Sequence, residues 1–141
     1  MKTSTKITSI VIIFFLIIAT VIIGRTMIGN HFKKKFNVFD ARSRERFEGK
    51  VLEPRKGLRS GSIKNSFCLP FSKLINDDHT FVSKDEIKTQ FELFKLDKDK
   101  NLVFSCGSGV TASVLALAYS LINDKYMPTI YDGSWSEYGR N

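Results

Sequence analysis

The stretch Leu102-Val103-Phe104-Ser105-Cys106-Gly107-Ser108-Gly109-Val110-Thr111 runs from an apolar segment through a thiol into a glycine-broken turn. A helical pattern follows from Ala112 to Asn123. A strand that delivers a cysteine to the start of a helix is a physical recipe for a nucleophile. Backbone N–H groups of the turn and of the first helical turn have no intrahelical partner. With the helix dipole they stabilise negative charge, so Cys106 is expected to shift toward thiolate, its reactive form. Gly107 and Gly109 let the backbone curl close without Cβ clashes.

Cysteine at a strand end is also a common inert core residue. The interleaved Gly-Ser-Gly argues otherwise, because a structural thiol needs no anion nest after it. A disulfide with Cys68 is the other reading of a chain with two cysteines. Cys68 sits in Ser66-Phe67-Cys68-Leu69, which reads as a short buried strand, and we take it as core.

Three chemistries use a cysteine in a loop of amides: phosphate-ester cleavage, sulfur transfer and arsenate reduction. A dianionic phosphate wants a bidentate arginine in the loop. No residue from Gly107 to Ser113 is charged, and position 112 is Ala112. A singly charged persulfide needs only N–H donors and a hydroxyl or two, which Ser108 and Thr111 can supply. The loop suits sulfur transfer better than phosphoryl transfer.

Working outward, Val38-Phe39 reads as a strand and Ser43 to Phe47 as a helical turn or two. Glu53 to Ser62 is a loop, Ser66 to Leu69 a strand ended by Pro70, and Pro128 to Tyr131 a last strand. Ser83 with Glu86 makes a capping-box pattern ahead of Ile87, Phe91 and Phe94 on one helical face. Strands alternating with helices imply a parallel sheet flanked by helices, whose ligands bind at the carboxyl ends of the strands.

The front of the chain is different in kind. Residues 7–24 carry no charge and are dominated by Ile, Val, Phe and Leu. At about 1.5 Å per residue they come close to the ~30 Å hydrocarbon core. We read 1–6 as a short basic N-terminus, 7–24 as a transmembrane anchor, 25–36 as a basic linker and 37–141 as the folded domain. A cleavable signal peptide is the alternative, opposed by the length of the apolar run and the lack of an Ala-x-Ala-like site. Lys2 and Lys6 precede the run; Arg25, Lys33, Lys34 and Lys35 follow it, which places the domain in the cytoplasm. The net charge of +8 invites a nucleic-acid reading. Residues 1–35 hold six of the 22 Lys and Arg and no acid, leaving 16 bases against 14 acids elsewhere. No aromatic-basic interleaving reads as a nucleic-acid groove, so the expected partner of the basic front is a lipid bilayer.

Four ordered segments carry a resemblance. They are Phe39-Asp40-Ala41-Arg42-Ser43; Arg46-Phe47-Glu48-Gly49 with Glu53-Pro54-Arg55; Cys106 to Ala112; and Tyr131-Asp132-Gly133-Ser134-Trp135-Ser136-Glu137. Together they resemble the rhodanese superfamily, in the catalytic half of the two-domain 3-mercaptopyruvate and thiosulfate sulfurtransferases. The resemblance implies an α/β rhodanese-like domain with a parallel sheet flanked by helices, here preceded by one transmembrane helix. It implies a sulfurtransferase moving sulfur from 3-mercaptopyruvate or thiosulfate to a thiol or cyanide through a cysteine persulfide, with no cofactor and no metal. Cys106 and Ser108 would be catalytic and Arg46 and Arg55 would bind the donor's anion. Gly107, Gly109, Val110 and Thr111 would cradle the persulfide, and Asp40 would be structural near the site. The uncharged loop resembles the mercaptopyruvate type. Gly61-Ser62-Ile63-Lys64-Asn65-Ser66 departs from the family's Gly-His-Ile-Pro-Gly-Ala, which implies altered packing there. The family's other half, source of an acid and a histidine proposed to act with the loop serine, has no counterpart in the matched stretch. A non-catalytic membrane-anchored rhodanese-like binding module, or a decayed fragment, is therefore the second expectation.

Overall fold

The computed structural model describes residues 18–20 and 36–140, and the chain divides into two units, residues 1–31 and 32–141. In the first unit, residues 18–20 are helical. The rest of the anchor expected at 7–24, and the linker to residue 35, lie outside the described residues. Among the described residues no helix is long and apolar enough to cross a membrane.

In the second unit, β1 (Phe36–Asp40), β2 (Phe67–Cys68) and β3 (Asn101–Ser105) form a parallel sheet in the order β2-β1-β3. The central strand is buried along almost its whole length, as a parallel strand covered on both faces must be. Register follows from the alternation of side chains. Phe39 pairs with Phe104 and Val38 with Val103, so paired residues share a face. On one face Phe39, Leu102 and Phe104 pack with Ile87, Phe91, Leu115 and Ala116. On the other, Val38 packs with Ile63 and Trp135, flanked by Phe36, Leu58, Tyr131 and Tyr138. Phe39 anchors the first core through ring contacts to Phe67, Phe91, Phe94 and Phe104 at 5.1–5.8 Å, each worth about 0.5–1.5 kcal/mol beyond burial.

Four α-helices, α1 (Arg44–Phe47), α2 (Lys84–Glu92), α3 (Val110–Ser120) and α4 (Ser134–Tyr138), and a 3-10 helix at Phe71–Leu74 complete the domain. The expected capping box opens α2: the Ser83 hydroxyl accepts from Glu86 N, and Glu86 Oε2 accepts from Ser83 N. The last expected strand, 128–131, is only a parallel bridge between Ile130 and Phe104. Its backbone makes two strand-like bonds, Phe104 N to Thr129 O at 3.0 Å and Tyr131 N to Phe104 O at 2.9 Å. Asp132-Gly133 then turns the chain into α4 before a longer ladder can form. The departing segment 61–66 closes as a turn of its own, with Asn65 in the left-handed region at φ 63° and Ser66 N donating to Ile63 O. Asn tolerates that region, and Ile63 from this turn fills the second core.

Candidate active site

Because β1 and β3 end in register at Asp40 and Ser105, the segments that follow them, Ala41-Arg42 and Cys106-Gly107, leave the same edge of the sheet side by side. Cys106 is 2% exposed. Helix α4 takes hold of the loop carbonyls: Trp135 N donates to Cys106 O at 3.0 Å, and Ser136 N and Oγ both donate to Gly107 O at 2.9 and 2.6 Å. In a trans peptide the N–H points opposite to the C=O. Tying the Gly107 carbonyl to α4 therefore turns the Ser108 N–H inward, where it donates to Cys106 Sγ at 3.4 Å. Gly109, at φ 87°, reverses the chain into α3; a Cβ there would stand 3.1 Å from both the carbonyl and carboxylate oxygens of Asp132.

Burial pushes the Cys106 thiol up, but the Thr111 hydroxyl and the N–H groups of Ser108, Ala112 and Thr111 outweigh it and hold the thiol below its ordinary range. Ala112 thus extends the cradle one residue beyond the expected 107–111. Val110 is 72% exposed and forms the apolar lip of the cleft. Cys68 differs: both cysteines are free, and burial pushes the Cys68 thiol up to about 11. Cys68 pairs with Asp40 and Asp40 with Ser105. Two strand spacings of about 4.8 Å exceed the ~7 Å reach of a disulfide. The disulfide reading is excluded.

Both expected arginines reach the loop. A cleft of about 350 Å³ is lined by Arg46, Pro54, Arg55, Cys106, Gly107, Ser108, Val110 and Thr111. A Cβ on Gly107 would stand 3.2 Å from Arg46 Nη2 and 3.4 Å from Arg55 Nη1, so the two guanidiniums converge where glycine leaves room. Arg46 is held by Glu53 through Nη2–Oε2 at 2.6 Å and Nε–Oε1 at 3.3 Å. Arg55 makes no ion pair among the described residues, and its Nη2 donates to Ser108 Oγ at 3.0 Å. Ser108 therefore meets Cys106 through its N–H and Arg55 through its hydroxyl.

The sequence reading missed the support behind these groups. Arg42, given no role there beyond its place in the Phe39–Ser43 segment, is 2% exposed. It clamps Asp40 with Nε and Nη2, bonds Glu53 Oε1 at 2.8 Å and Gly61 O at 2.8 Å, and lies 4.5 Å over the Trp135 ring. Asp40, Arg42 and Glu53 form a buried chain of charges that ends on the partly exposed Arg46. Its effect is to fix the Arg46 fork over the loop. Ser134 was missed too: its Oγ accepts from Cys106 N at 3.0 Å and donates to Tyr131 O at 2.7 Å. The Ser-Trp-Ser run of α4 was the available signal, with three residues in succession that all bond the cysteine loop. Among the described residues no group of three or more His, Cys, Asp or Glu is placed to hold a metal.

Comparison with known proteins agrees with this geometry. The sequence matches the rhodanese-like domain over residues 27–141. It is 43% identical over 99 residues to thiosulfate/3-mercaptopyruvate sulfurtransferase 1, mitochondrial, of Arabidopsis thaliana, covering 70% of this chain and 26% of that protein. It is 41% identical over 105 residues to the 3-mercaptopyruvate sulfurtransferase of Mus musculus, covering 74% and 35%. The crystal structure of Tum1 from Saccharomyces cerevisiae superimposes with a TM-score of 0.68 at 35% identity, covering 77% of this chain and 38% of that one. The chain spans 26% and 35% of the length of the two curated relatives. By its sequence match, its sheet and its cysteine loop, the chain belongs to the rhodanese-like domain family.

Proposed function

We propose that the domain is a sulfurtransferase with Cys106 as nucleophile. The Cys106 thiolate attacks the sulfur of the donor. With 3-mercaptopyruvate the C–S bond breaks and pyruvate leaves as its enolate, which takes a proton; with thiosulfate the S–S bond breaks and sulfite leaves. Either step creates a persulfide on Cys106, whose charge the N–H groups of Ser108, Thr111 and Ala112 can accept. A thiol or cyanide then removes the outer sulfur, completing a two-step covalent cycle. Arg46 and Arg55 bind the donor's anion, Arg55 as the fork without an internal counter-ion and Arg46 as the one already oriented by Glu53. The observation that carries this reading is the meeting of a lowered thiol and two guanidiniums across Gly107 in one cleft. Full-length protein treated with donor should gain the mass of one sulfur atom, and Cys106→Ala should not. No gain at any donor concentration overturns the proposal. Full complementation of a deletion by Cys106→Ser would instead favour the binding-module reading.

The cleft also favours one donor. Glu53 offsets much of the charge of Arg46, and the loop itself is uncharged, so the site suits the single carboxylate of 3-mercaptopyruvate better than dianionic thiosulfate. Side-by-side kinetics should give the higher kcat/KM with 3-mercaptopyruvate; a preference for thiosulfate contradicts this. For the front of the chain we propose a bilayer anchor at 7–24 with the domain in the cytoplasm. The uncharged run and the flanking Arg25 and Lys33-Lys34-Lys35 support it. Alkaline carbonate washing should leave the protein in the membrane pellet, with its domain open to protease from the cytoplasmic side. Release into the wash, or a shortened mature N-terminus, rules the anchor out.

A further inference from the structure

A second cleft, about 400 Å³, adjoins the first and is lined by Arg55, Lys56, Gly57, Leu58, Ser136 and Arg140. Three of its six lining residues are cations and none is an acid. It shares Arg55 with the cysteine cleft. It also shares a wall, since Ser136 holds the Gly107 carbonyl from the other side. Arg140 Nε donates to Ser136 O at 3.0 Å, which fixes that guanidinium against α4. An antiparallel bridge between Leu58 and Arg140 ties the two flanks of the cleft together.

We infer that this cleft is the acceptor subsite, and that it takes the carboxylate end of a peptide-sized anionic thiol. The inference rests on the sulfurtransferase reading above and names its second substrate. A volume of this size suits a small ligand rather than a protein surface. Lys56 and Arg140 line this cleft and not the one that holds Cys106, and Arg55 lies in both, so a thiol held by them needs length between its sulfur and its carboxylate. A thiol peptide with free carboxylates is long enough. In the step itself the acceptor thiolate attacks the outer sulfur of the Cys106 persulfide. The S–S bond to Cys106 breaks, the Cys106 thiolate is regenerated, and the acceptor leaves as its own persulfide. Cys68 cannot take that sulfur internally at its separation from Cys106 (two strand spacings), so an external thiol is required.

The test uses the full chain and the variant Lys56→Gln/Arg140→Gln, which keeps Cys106, Arg46 and Arg55. Persulfide is loaded from donor and its loading followed by mass, then discharge is timed with glutathione and with 2-mercaptoethanol, a neutral thiol. The variant should load normally, discharge to 2-mercaptoethanol at the wild-type rate, and discharge to glutathione about tenfold more slowly, as the loss of two partly exposed charge contacts allows. The glutathione rate should also fall with salt more steeply in the wild type than in the variant. Equal slowing with both thiols, or no slowing with either, overturns the inference. Calorimetry with S-methylglutathione, which cannot react, decides the subsite even if no persulfide forms. Wild-type binding weakened about tenfold in the variant supports it, and absent or unchanged binding refutes it. Failure of loading in the wild type speaks against the sulfurtransferase reading instead.

Discussion

The ends of β2 and β3 offer the same residue to the same edge of one sheet, and make opposite things of it. Cys68 and Cys106 are both buried, at 4% and 2% exposure. Burial alone pushes a thiol up, and at Cys68 it goes up to about 11. That sulfur has one weak contact, its S–H to Arg42 O at 3.9 Å. Arg42 itself lies close by, but Asp40 and Glu53 hold its guanidinium. After β3 the chain instead folds back over the sulfur as a nest of N–H groups, and the same burial is overcome. The direction of the shift is a property of the six residues after Cys106, not of the strand end.

The largest expected effect is the simplest break of that comparison. Cys106→Ala should abolish persulfide formation and turnover. Cys68→Ala should keep both and cost about 1 kcal/mol in stability for the small cavity it leaves. Loss of turnover in Cys68→Ala at an unchanged fold would show that the β2 thiol is part of the chemistry. Next comes the charge chain that holds the guanidinium of Arg42, the residue whose carbonyl Cys68 contacts. The Glu53 side chain is 1% exposed and faces Arg42 and Arg46. Glu53→Gln takes the counter-ion from the partly exposed Arg46 and leaves Arg42 with Asp40 alone, a loss of charge-assisted bonds that costs about 1.5–3 kcal/mol. Urea unfolding should register that loss, and a change below 1 kcal/mol would mean the chain is not energetically coupled.

Smaller again is the nest itself. Gly109→Ala must hold a positive φ and meet Asp132 oxygens at 3.1 Å. Strain of about 1–2 kcal/mol should lower stability, and the disturbed N–H groups should slow alkylation of Cys106 while leaving Cys68 untouched. Thr111→Val isolates one donor at nearly constant shape. The hydroxyl helps lower the Cys106 thiol, so its loss should move the pH profile of alkylation upward and slow the reaction several-fold at neutral pH. An unmoved profile would assign the whole effect to the backbone.

How much of this was readable in advance divides along the same line. The cysteine loop and the capping box at Ser83 are local patterns, each with its physics inside a few residues; Arg46 and Arg55 were reached only through the family resemblance. The Arg42 hub is not. It joins residues 40, 42, 53, 61 and 135, and nothing in the run Arg42-Ser43-Arg44-Glu45-Arg46 distinguishes a buried arginine from its solvated neighbours. Only the fold decides that Arg42 turns inward over Trp135 while Arg44 stays 58% exposed. The 128–131 strand failed for a related reason: its apolar residues were legible, but the turn at Asp132-Gly133 that cuts it short serves α4 and the loop.

The smallest effect is the most discriminating, because the two thiols bend the pH–stability curve in opposite senses. Cys106 is depressed in the folded state. Between its folded pKa and the unfolded cysteine value of about 8.5, the unfolded chain binds the extra proton. Stability therefore rises with pH in that window and is lost as pH falls through it. Cys68 is raised to about 11. Between about 8.5 and 11 the folded chain keeps a proton that the unfolded chain has released, so stability falls as pH rises through that window. Tyr126 and Tyr131 are also raised by burial, so the alkaline limb has several contributors and only difference curves are informative. Subtracting the Tm–pH curve of Cys106→Ala from that of the wild type should leave a limb rising toward pH 8.5. Subtracting that of Cys68→Ala should leave one falling above it. Two limbs of the same sign would mean that the end of β3 treats its thiol no differently from the end of β2, and the nest would lose its meaning.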